Sequence, residues 1–198
     1  MKRIYVALLV LLISVNYGFG QSFGVKGGVN LSTISSDSWD KTNTKVGFYA
    51  GMFLHAHVTN TFCIQPELIF NNMGVKYETG NTVHTLGLNY IAMPVMFQLE
   101  PIPNLYFEAG PQFSLLLGSR NKFEVGEKVT IEKDKDAFNQ FDLNLAVGTG
   151  FRFKGNMALT ARYLIGLTDV KKYGQTSWGN DDNELRNNGL QIGLQYGF

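Results

Sequence analysis

From Gly189 to Phe198 the chain alternates strictly between large apolar side chains and glycine or glutamine. Because successive side chains of a β-strand point to opposite faces, this period of two predicts a strand with one apolar face and one small or polar face. The segment from Phe141 to Lys154 divides its residues in nearly the same way. A chain with this pattern is expected to fold into β-sheet rather than helices.

Six further segments show the same alternation, which brings the expected number of strands to eight. In the segment 84–99 both faces are apolar, so the pattern does not settle which of its side chains point inwards. The six segments are 23–33, 46–58, 62–77, 84–99, 104–117 and 157–168.

The composition indicates that the apolar faces contact lipid. Aromatic residues make up 13% of the chain and charged residues only 17%. A soluble β-sandwich or a lipocalin-like barrel would bury its apolar face and cover the other with Lys, Glu and Thr. Here the polar face is mostly glycine with single polar groups, which suits the narrow interior of a membrane barrel.

The connections between the expected strands alternate in length. Short turns at 59–61, 100–103 and 155–156 alternate with longer connections at 34–45, 78–83, 118–140 and 169–187. Short periplasmic turns and longer extracellular loops are typical of outer-membrane barrels. The sequence therefore predicts an all-β fold, an eight-stranded antiparallel up-and-down transmembrane β-barrel with both termini on the periplasmic side.

The N-terminus has the pattern of a secretory signal peptide. Lys2 and Arg3 precede a short apolar run, and Gly18 and Gly20 predict cleavage before Gln21. The alternative, a buried N-terminal helix, would need helices to pack against. We therefore expect a signal peptide at 1–20 and a barrel at 21–198, integral to the bacterial outer membrane. Without its two N-terminal cations the chain has a formal charge of −1, which gives no support to nucleic-acid binding.

The C-terminal segment GLQIGLQYGF, with Tyr196 and the terminal Phe198, resembles the signal that hands outer-membrane barrels to their assembly machinery. LNYIAMPVMFQ at 88–98 and ARYLIGLTDV at 161–170 are similar to stretches of the PorT-like outer-membrane β-barrel domain family typical of Bacteroidota. That resemblance implies an eight-stranded barrel in the outer membrane. It does not by itself transfer a role in secretion.

Charged residues on the polar face are expected to pair inside the barrel. An eight-stranded barrel is just wide enough for side chains to fill, so open-pore conduction is disfavoured. An unpaired charge in such an interior would cost several kcal/mol. We expect three cations to face three carboxylates in one lumen network, namely Lys26, Arg152 and Arg162 with Glu67, Glu108 and Asp142.

The histidines and the single cysteine, residue types that often carry chemistry, have plainer explanations here. His55 and His57 share one strand face, but the sequence places no cysteine or third histidine beside them, so polar lining of the lumen explains them better than a metal site. The single cysteine, Cys63, has no neighbour spaced for a metal or redox site, and a small buried strand residue is the better interpretation. His84 has no serine or acid partner at a recognisable spacing, which leaves a hydrolase as a minor alternative.

The long connections are the expected sites of binding. Trp39 and Trp178 lie in different long loops and are candidates for contact with lipopolysaccharide or a partner, or for packing on their own loops. Asp181 and Asp182 lie in an acidic stretch without the spacing of an EF-hand, so a solvated loop is expected rather than a calcium site. We also expect that residues 121–138 can be trimmed without loss of folding.

These observations favour a non-enzymatic barrel, without catalytic residues, cofactor or metal, that supports the envelope or binds through its extracellular loops. An accessory subunit of a secretion machine and an outer-membrane hydrolase are the alternatives. The expected partners are outer-membrane lipid and lipopolysaccharide, the barrel assembly machinery and a secretion-system or extracellular protein, with no nucleic acid. The strand register places Leu194 on the lipid face at mid-strand and Gln195 in the lumen.

Overall fold

A computed structural model describes residues 21–35, 43–79, 82–125, 128–132, 135, 137–153, 155–172 and 184–198. The expected signal peptide, Trp39, Trp178, Asp181 and Asp182 lie outside these residues. The strands are β1 (Gln21–Ser35), β2 (Asn43–His57), β3 (Phe62–Thr79), β4 (Thr82–Ile102), β5 (Leu105–Val125), β6 (Lys128–Glu132), β7 (Phe141–Arg152), β8 (Met157–Gly166) and β9 (Arg186–Gly197). No helix in the described residues is long and apolar enough to cross a membrane.

Eight of the strands close into a barrel. They pair antiparallel in the order β4, β3, β2, β1, β9, β8, β7, β5, and β4 pairs with β5 to complete the ring. The ninth strand, β6, extends the sheet from the far end of β5. The predicted all-β, eight-stranded antiparallel up-and-down barrel is confirmed.

The two ends of the barrel differ. The turn end carries both ends of the described barrel chain and three short turns, and the backbone N–H of Phe198 donates to the carbonyl of Phe23 at 2.8 Å there. At the other end, here called the loop end, two of the predicted loops are mostly strand. β3 runs to Thr79 and β4 starts at Thr82, so most of 78–83 is paired, and β5 and β6 form a hairpin within 118–140. The sequence predicted a moderate connection at 78–83 and a long loop at 118–140, and both predictions were wrong where strands occupy these residues.

The outer face is apolar around the barrel. The large apolar side chains that it exposes include Val29, Met52, Met93, Phe97, Phe107, Phe113, Leu115, Leu117, Tyr163, Ile165, Ile192 and Leu194. Near the turn end aromatic rings pair on this face, with Phe23 stacked on Phe198 at 5.7 Å between centroids and Phe62 on Phe97 at 6.4 Å. Such a band with aromatic residues at its edge is the surface that a bilayer covers.

Glycine on the inner face makes room for aromatic rings. A Cβ on Gly24 would lie 2.2 Å from the ring of Phe53, and one on Gly150 would lie 2.3 Å from the ring of Tyr106. Each ring lies over a neighbouring strand, where any larger residue would clash with it. At these two positions glycine is therefore explained by ring packing inside a narrow barrel.

The interior is layered along the barrel axis. Lys26, Glu67, Glu108 and Arg162 lie nearer the turn end, and amides such as Asn30, Asn71 and Gln191 lie above them. Most of the buried apolar side chains lie towards the loop end. β4 supplies much of the apolar layer through Leu86, Leu88 and Tyr90, while Phe97 and Leu99 face outwards. Both faces of 84–99 are apolar because one face packs in the apolar part of the interior and the other faces lipid.

Candidate functional site

A buried network of four charged side chains crosses the middle of the lumen. Lys26 on β1 donates from Nζ to Glu67 Oε1 on β3 at 2.9 Å. Arg162 on β8 donates to both oxygens of Glu67, at 2.9 and 3.0 Å, and from Nε to Glu108 Oε1 on β5 at 2.8 Å. All four side chains are at most 3% exposed. Two cations and two carboxylates balance, so the network carries no net charge.

Neutral amides complete the hydrogen bonding of this network. Gln65 donates from Nε2 to Glu67 Oε1 at 2.9 Å, and Gln98 donates from Nε2 to Glu108 Oε2 at 3.0 Å. Buried ion pairs are stable only when such additional hydrogen bonds satisfy the remaining lone pairs. The arrangement holds opposite walls of the barrel together at this depth.

Arg152 and Asp142 lie outside the network, so the expected set of six is wrong in two members. Arg152 is at the turn end, where it pairs with Glu100 and its guanidinium lies 4.8 Å from the Tyr106 ring centroid. Asp142 is at the loop end, where it accepts hydrogen bonds from Thr168 at 2.8 Å and Asn187 at 3.0 Å. Alternation in the sequence gives the face of each residue, and it made no use of position along the strand. Asp142 and Arg152 lie at opposite ends of one strand, so their different depths along the axis follow from their positions in it.

The loop end of the lumen is closed by connecting segments that fold inwards. Phe138 and Val170, both at most 2% exposed, pack with Leu185 in the apolar cluster of the barrel interior. The Val170 N–H donates to the Leu185 carbonyl at 2.9 Å, and Asn139 donates from Nδ2 to the carbonyl of Asp169 at 2.8 Å. We refer to the described residues 137–139, 168–171 and 184–185 as the cap.

The cap and the charged network together fill the lumen at two depths. Fully buried side chains such as Tyr90 and Leu164 occupy the space between β4 and β8 below the cap. A continuous aqueous path would have to replace this packing. The described interior is therefore that of a closed barrel.

The strands at the loop end continue beyond the apolar outer band. On β5 the exposed apolar residues of the outer face end at Leu117, close to a register irregularity opposite Asn89 and Tyr90. β5 then runs on to Val125, paired on one side with β4 and on the other with β6. We call the sheet formed by residues 72–79, 82–89, 118–125 and 128–132 the strand extension. Its outer face carries the ion pair of Lys122 and Glu124.

The edge of the strand extension is β6. β6 ends the strand order and pairs with β5, and its described residues Val129, Thr130 and Ile131 are all exposed. Val129 and Ile131 are 52% and 51% exposed. An exposed apolar edge strand is unusual in a stable protein, because its unpaired backbone groups attract other strands.

The other residues singled out in the sequence lie at both ends of the barrel. Tyr196 and Phe198 face outwards at the turn end, with ring centroids 5.3 Å apart. His84 lies in the strand extension and packs edge-on against Phe123 at 4.8 Å. His55 faces the lumen near the turn end, where a cavity of about 420 Å³ is lined by His55, His57, Glu100, Arg152 and Asn104 among others.

Solved structures with the same fold come from other bacteria. Neisserial surface protein A is 16% identical with a TM-score of 0.52, over 90% of this chain and 99% of that one. Ail, the attachment invasion locus protein of Yersinia pestis, is 12% identical with a TM-score of 0.52, over 91% of this chain and 100% of that one. Ail in complex with the heparin analogue sucrose octasulfate gives a TM-score of 0.53 at 12% identity, over 90% and 99% of the two chains.

No curated protein sequence is significantly similar to this chain. The family described as outer membrane protein beta-barrel domain matches residues 19–172, which is well over half of the sequence. The closed eight-stranded barrel and its apolar outer band agree with that match. The chain therefore belongs to the outer membrane protein beta-barrel domain family and is a small integral barrel of the outer membrane.

Proposed function

We propose that this protein is a closed, non-enzymatic barrel that binds an extracellular polypeptide by strand addition to β6. The observation that carries the proposal is the exposed apolar edge that β6 presents beyond the lipid-facing band. An extended peptide that adds to a sheet edge gains main-chain hydrogen bonds, and its alternate side chains contact the neighbouring surface. Val129 and Ile131 supply that apolar contact.

The closed interior supports binding rather than transport. Phe138 of the cap and Arg162 of the network both lie where a pore would run. Rigid anchoring of the extension also favours a recognition role, because β4 and β5 hold it as direct continuations of barrel strands. Residue Ala137 and its neighbours in the cap close the lumen beside the base of the extension.

The exposed edge of β6, and not the fold shared with Ail, indicates what kind of partner binds. Ail is described with a heparin analogue, but the outer face of the extension pairs Lys122 with Glu124 and so offers little net positive charge to a polyanion. A polypeptide partner fits better. A secretion-system or extracellular protein, as expected from the sequence, would be such a polypeptide.

The first test removes the edge. Asn121 and Glu132 are cross-strand partners, so an Asn-Gly turn in place of residues 122–131 closes the hairpin with a two-residue loop. Native outer membranes are cross-linked, the barrel is purified, and co-purified polypeptides are identified. The trimmed barrel should keep the slower gel mobility on boiling that marks a folded barrel and should lose its polypeptide partner.

A point variant keeps the hairpin intact. Ile131→Lys places a charge on the exposed edge, which opposes strand addition. Val83→Lys on β4, away from the edge and between Glu78 and Glu124, is the matched control. Ile131→Lys should lose the partner while Val83→Lys retains it. A partner retained by the folded trimmed barrel, or ion conductance of the wild-type protein in planar bilayers, would show the proposal to be wrong.

A further inference from the structure

Two histidines and the single cysteine of the chain converge at the turn end of the lumen. One ligand atom from each of His55, His57 and Cys63 lies within 4.8 Å of the others. The two histidines are on β2, with ring centroids 4.7 Å apart, and Cys63 on β3 is the cross-strand partner of His57. The expectation that no cysteine lies near the histidines was wrong. It considered only neighbours along the chain, whereas Cys63 is the neighbour of His57 on the adjacent strand.

The residue types define the ligand. Imidazole nitrogens and a thiolate are the donors preferred by Zn²⁺, which takes tetrahedral sites with three protein ligands and a water. Around such an ion, with bonds of about 2.0–2.3 Å, neighbouring donor atoms are about 3.5 Å apart. The three donors are already within 4.8 Å, so small side-chain rotations bring them to that spacing.

Hydrogen bonds around His55 select the nitrogen that would bind. Gln65 donates from Nε2 to Glu67, which turns its Oε1 towards His55 Nδ1 at 3.1 Å. Because an amide oxygen only accepts, His55 Nδ1 carries the proton and Nε2 keeps its lone pair. A second residue that orients a ligating histidine in this way is typical of metal sites.

The lone pair of His55 Nε2 faces a donor from Arg152. The Nη2 group of Arg152 lies 3.5 Å from it, while the same guanidinium pairs with Glu100. An arriving cation takes the place of this weak contact, and the pair with Glu100 keeps Arg152 at the mouth. The cavity of about 420 Å³ that opens at the turn end gives solvent access to His55 and His57.

We propose that His55, His57 and Cys63 bind one Zn²⁺ ion, with water from the turn-end cavity as the fourth ligand. On binding, the Cys63 thiol loses its proton to solvent and its sulfur bonds to the ion, while His55 bonds through Nε2. Nothing in this site depends on the strand extension at the opposite end of the barrel. Cu⁺ has the same donor preference and is tested beside Zn²⁺.

The test uses the full-length mature barrel purified in detergent and checked for folding by its heat-modifiable gel mobility. Zn²⁺ affinity is measured by competition with a chromophoric chelator, Cu⁺ affinity likewise under reducing conditions, and Co²⁺ is added as a spectroscopic probe. Wild type should bind one Zn²⁺, and Co²⁺ should give a thiolate charge-transfer band. Tighter binding of Cu⁺ with the same three ligands but no measurable Zn²⁺ binding would overturn the choice of zinc.

Three substitutions separate ligation from folding. Cys63→Ser and His57→Gln should each weaken Zn²⁺ binding by about tenfold or more, and Cys63→Ser should abolish the Co²⁺ charge-transfer band. His84→Gln, which changes the one remaining histidine at the opposite end, is the matched control and should bind as wild type does. His57 is exposed, so its variant remains informative if Cys63→Ser fails to fold. Equal effects of His57→Gln and His84→Gln, or a folded wild type without Zn²⁺ binding, would overturn the proposal.

Discussion

Arg162 on β8 and Glu67 on β3 form a bidentate ion pair across the full diameter of the barrel. Four strand pairings separate β8 from β3 in either direction around the ring, and the two N–H donors lie 2.9 and 3.0 Å from the carboxylate oxygens. Lys26 on β1 and Glu108 on β5 are likewise on opposite walls, and each pairs with one member of the central bridge. One arginine therefore connects three walls of the lumen.

Loss of this arginine should destabilise the barrel strongly. Arg162→Ala leaves two buried carboxylates with one cation, and breaking a buried pair in this way costs about 3–5 kcal/mol of unfolding free energy. Urea titration followed by circular dichroism and by heat-modifiable gel mobility measures the change. Arg120→Ala, on the exposed face of β5, is the control and should change the free energy by about 0.5 kcal/mol or less.

Removal of one cation together with one carboxylate should lower the unfolding free energy less than removal of the cation alone. Arg162→Met combined with Glu67→Gln leaves Lys26 and Glu108, one of each sign, so the double variant should be more stable than Arg162→Met alone. The same urea titrations compare wild type, Arg162→Met, Glu67→Gln and the double variant. A double variant that is as unstable as the sum of its single variants would show that charge balance does not control this interior.

Depth in the bilayer should control the effect of a lipid-facing charge. Leu194 faces outwards as expected, but it lies two residues nearer the turn end than Ile192, which pairs with Ala161 near the middle of the exposed face of β8. Ile192→Arg should therefore destabilise the barrel by about 2–4 kcal/mol and Leu194→Arg by less, because the cost falls towards the interface. Folding titrations into lipid vesicles give both values, and the reverse order would contradict the assigned depth.

The sequence predicted the faces of the strands better than their ends. Alternation identified β7, β8 and β9 because these strands remain within the apolar band, where one face must be apolar. On β5 the outward apolar residues end at Leu117, so the pattern predicted a loop. The backbone nevertheless stays paired to Val125. A strand that extends beyond the membrane needs no apolar face, so it can continue without the alternating pattern.

The candidate site was only partly predictable for a related reason. A strand pattern says which side chains enter the lumen, and it selected Lys26, Glu67, Glu108 and Arg162 correctly as lumen residues. It does not say which of them share a depth, since that depends on how neighbouring strands are staggered. The pairing of His57 with Cys63 was overlooked, although the short turn between β2 and β3 implies it.

The cap should contribute to stability through Phe138. Its side chain is 2% exposed within the apolar cluster, so Phe138→Ala should cost about 3–5 kcal/mol of unfolding free energy from lost burial and the cavity left behind. Val129→Ala on the exposed edge strand is the control. Equal stability of Phe138→Ala and wild type in urea would show that the cap is not part of the core.

The burial of Phe138 also revises the expectation that residues 121–138 can be trimmed freely. That cut removes Phe138, whereas replacement of 122–131 does not.

The zinc site should bind more tightly when Arg152 is neutralised. The guanidinium donates to the same lone pair of His55 that the ion needs, and its positive charge opposes a second cation beside it. Arg152→Met, which has neither charge nor N–H donor, removes both effects and frees Glu100 as an additional negative charge at the mouth. We expect Zn²⁺ affinity to rise by about tenfold, since two charges of like sign about 4 Å apart repel by at least about 1 kcal/mol even in water. Chelator competition measures the change at matched ionic strength. Arg120→Gln at the loop end makes the same charge change far from the site and should leave the affinity unaltered, so a rise in both variants would reflect net charge and not the contact with His55.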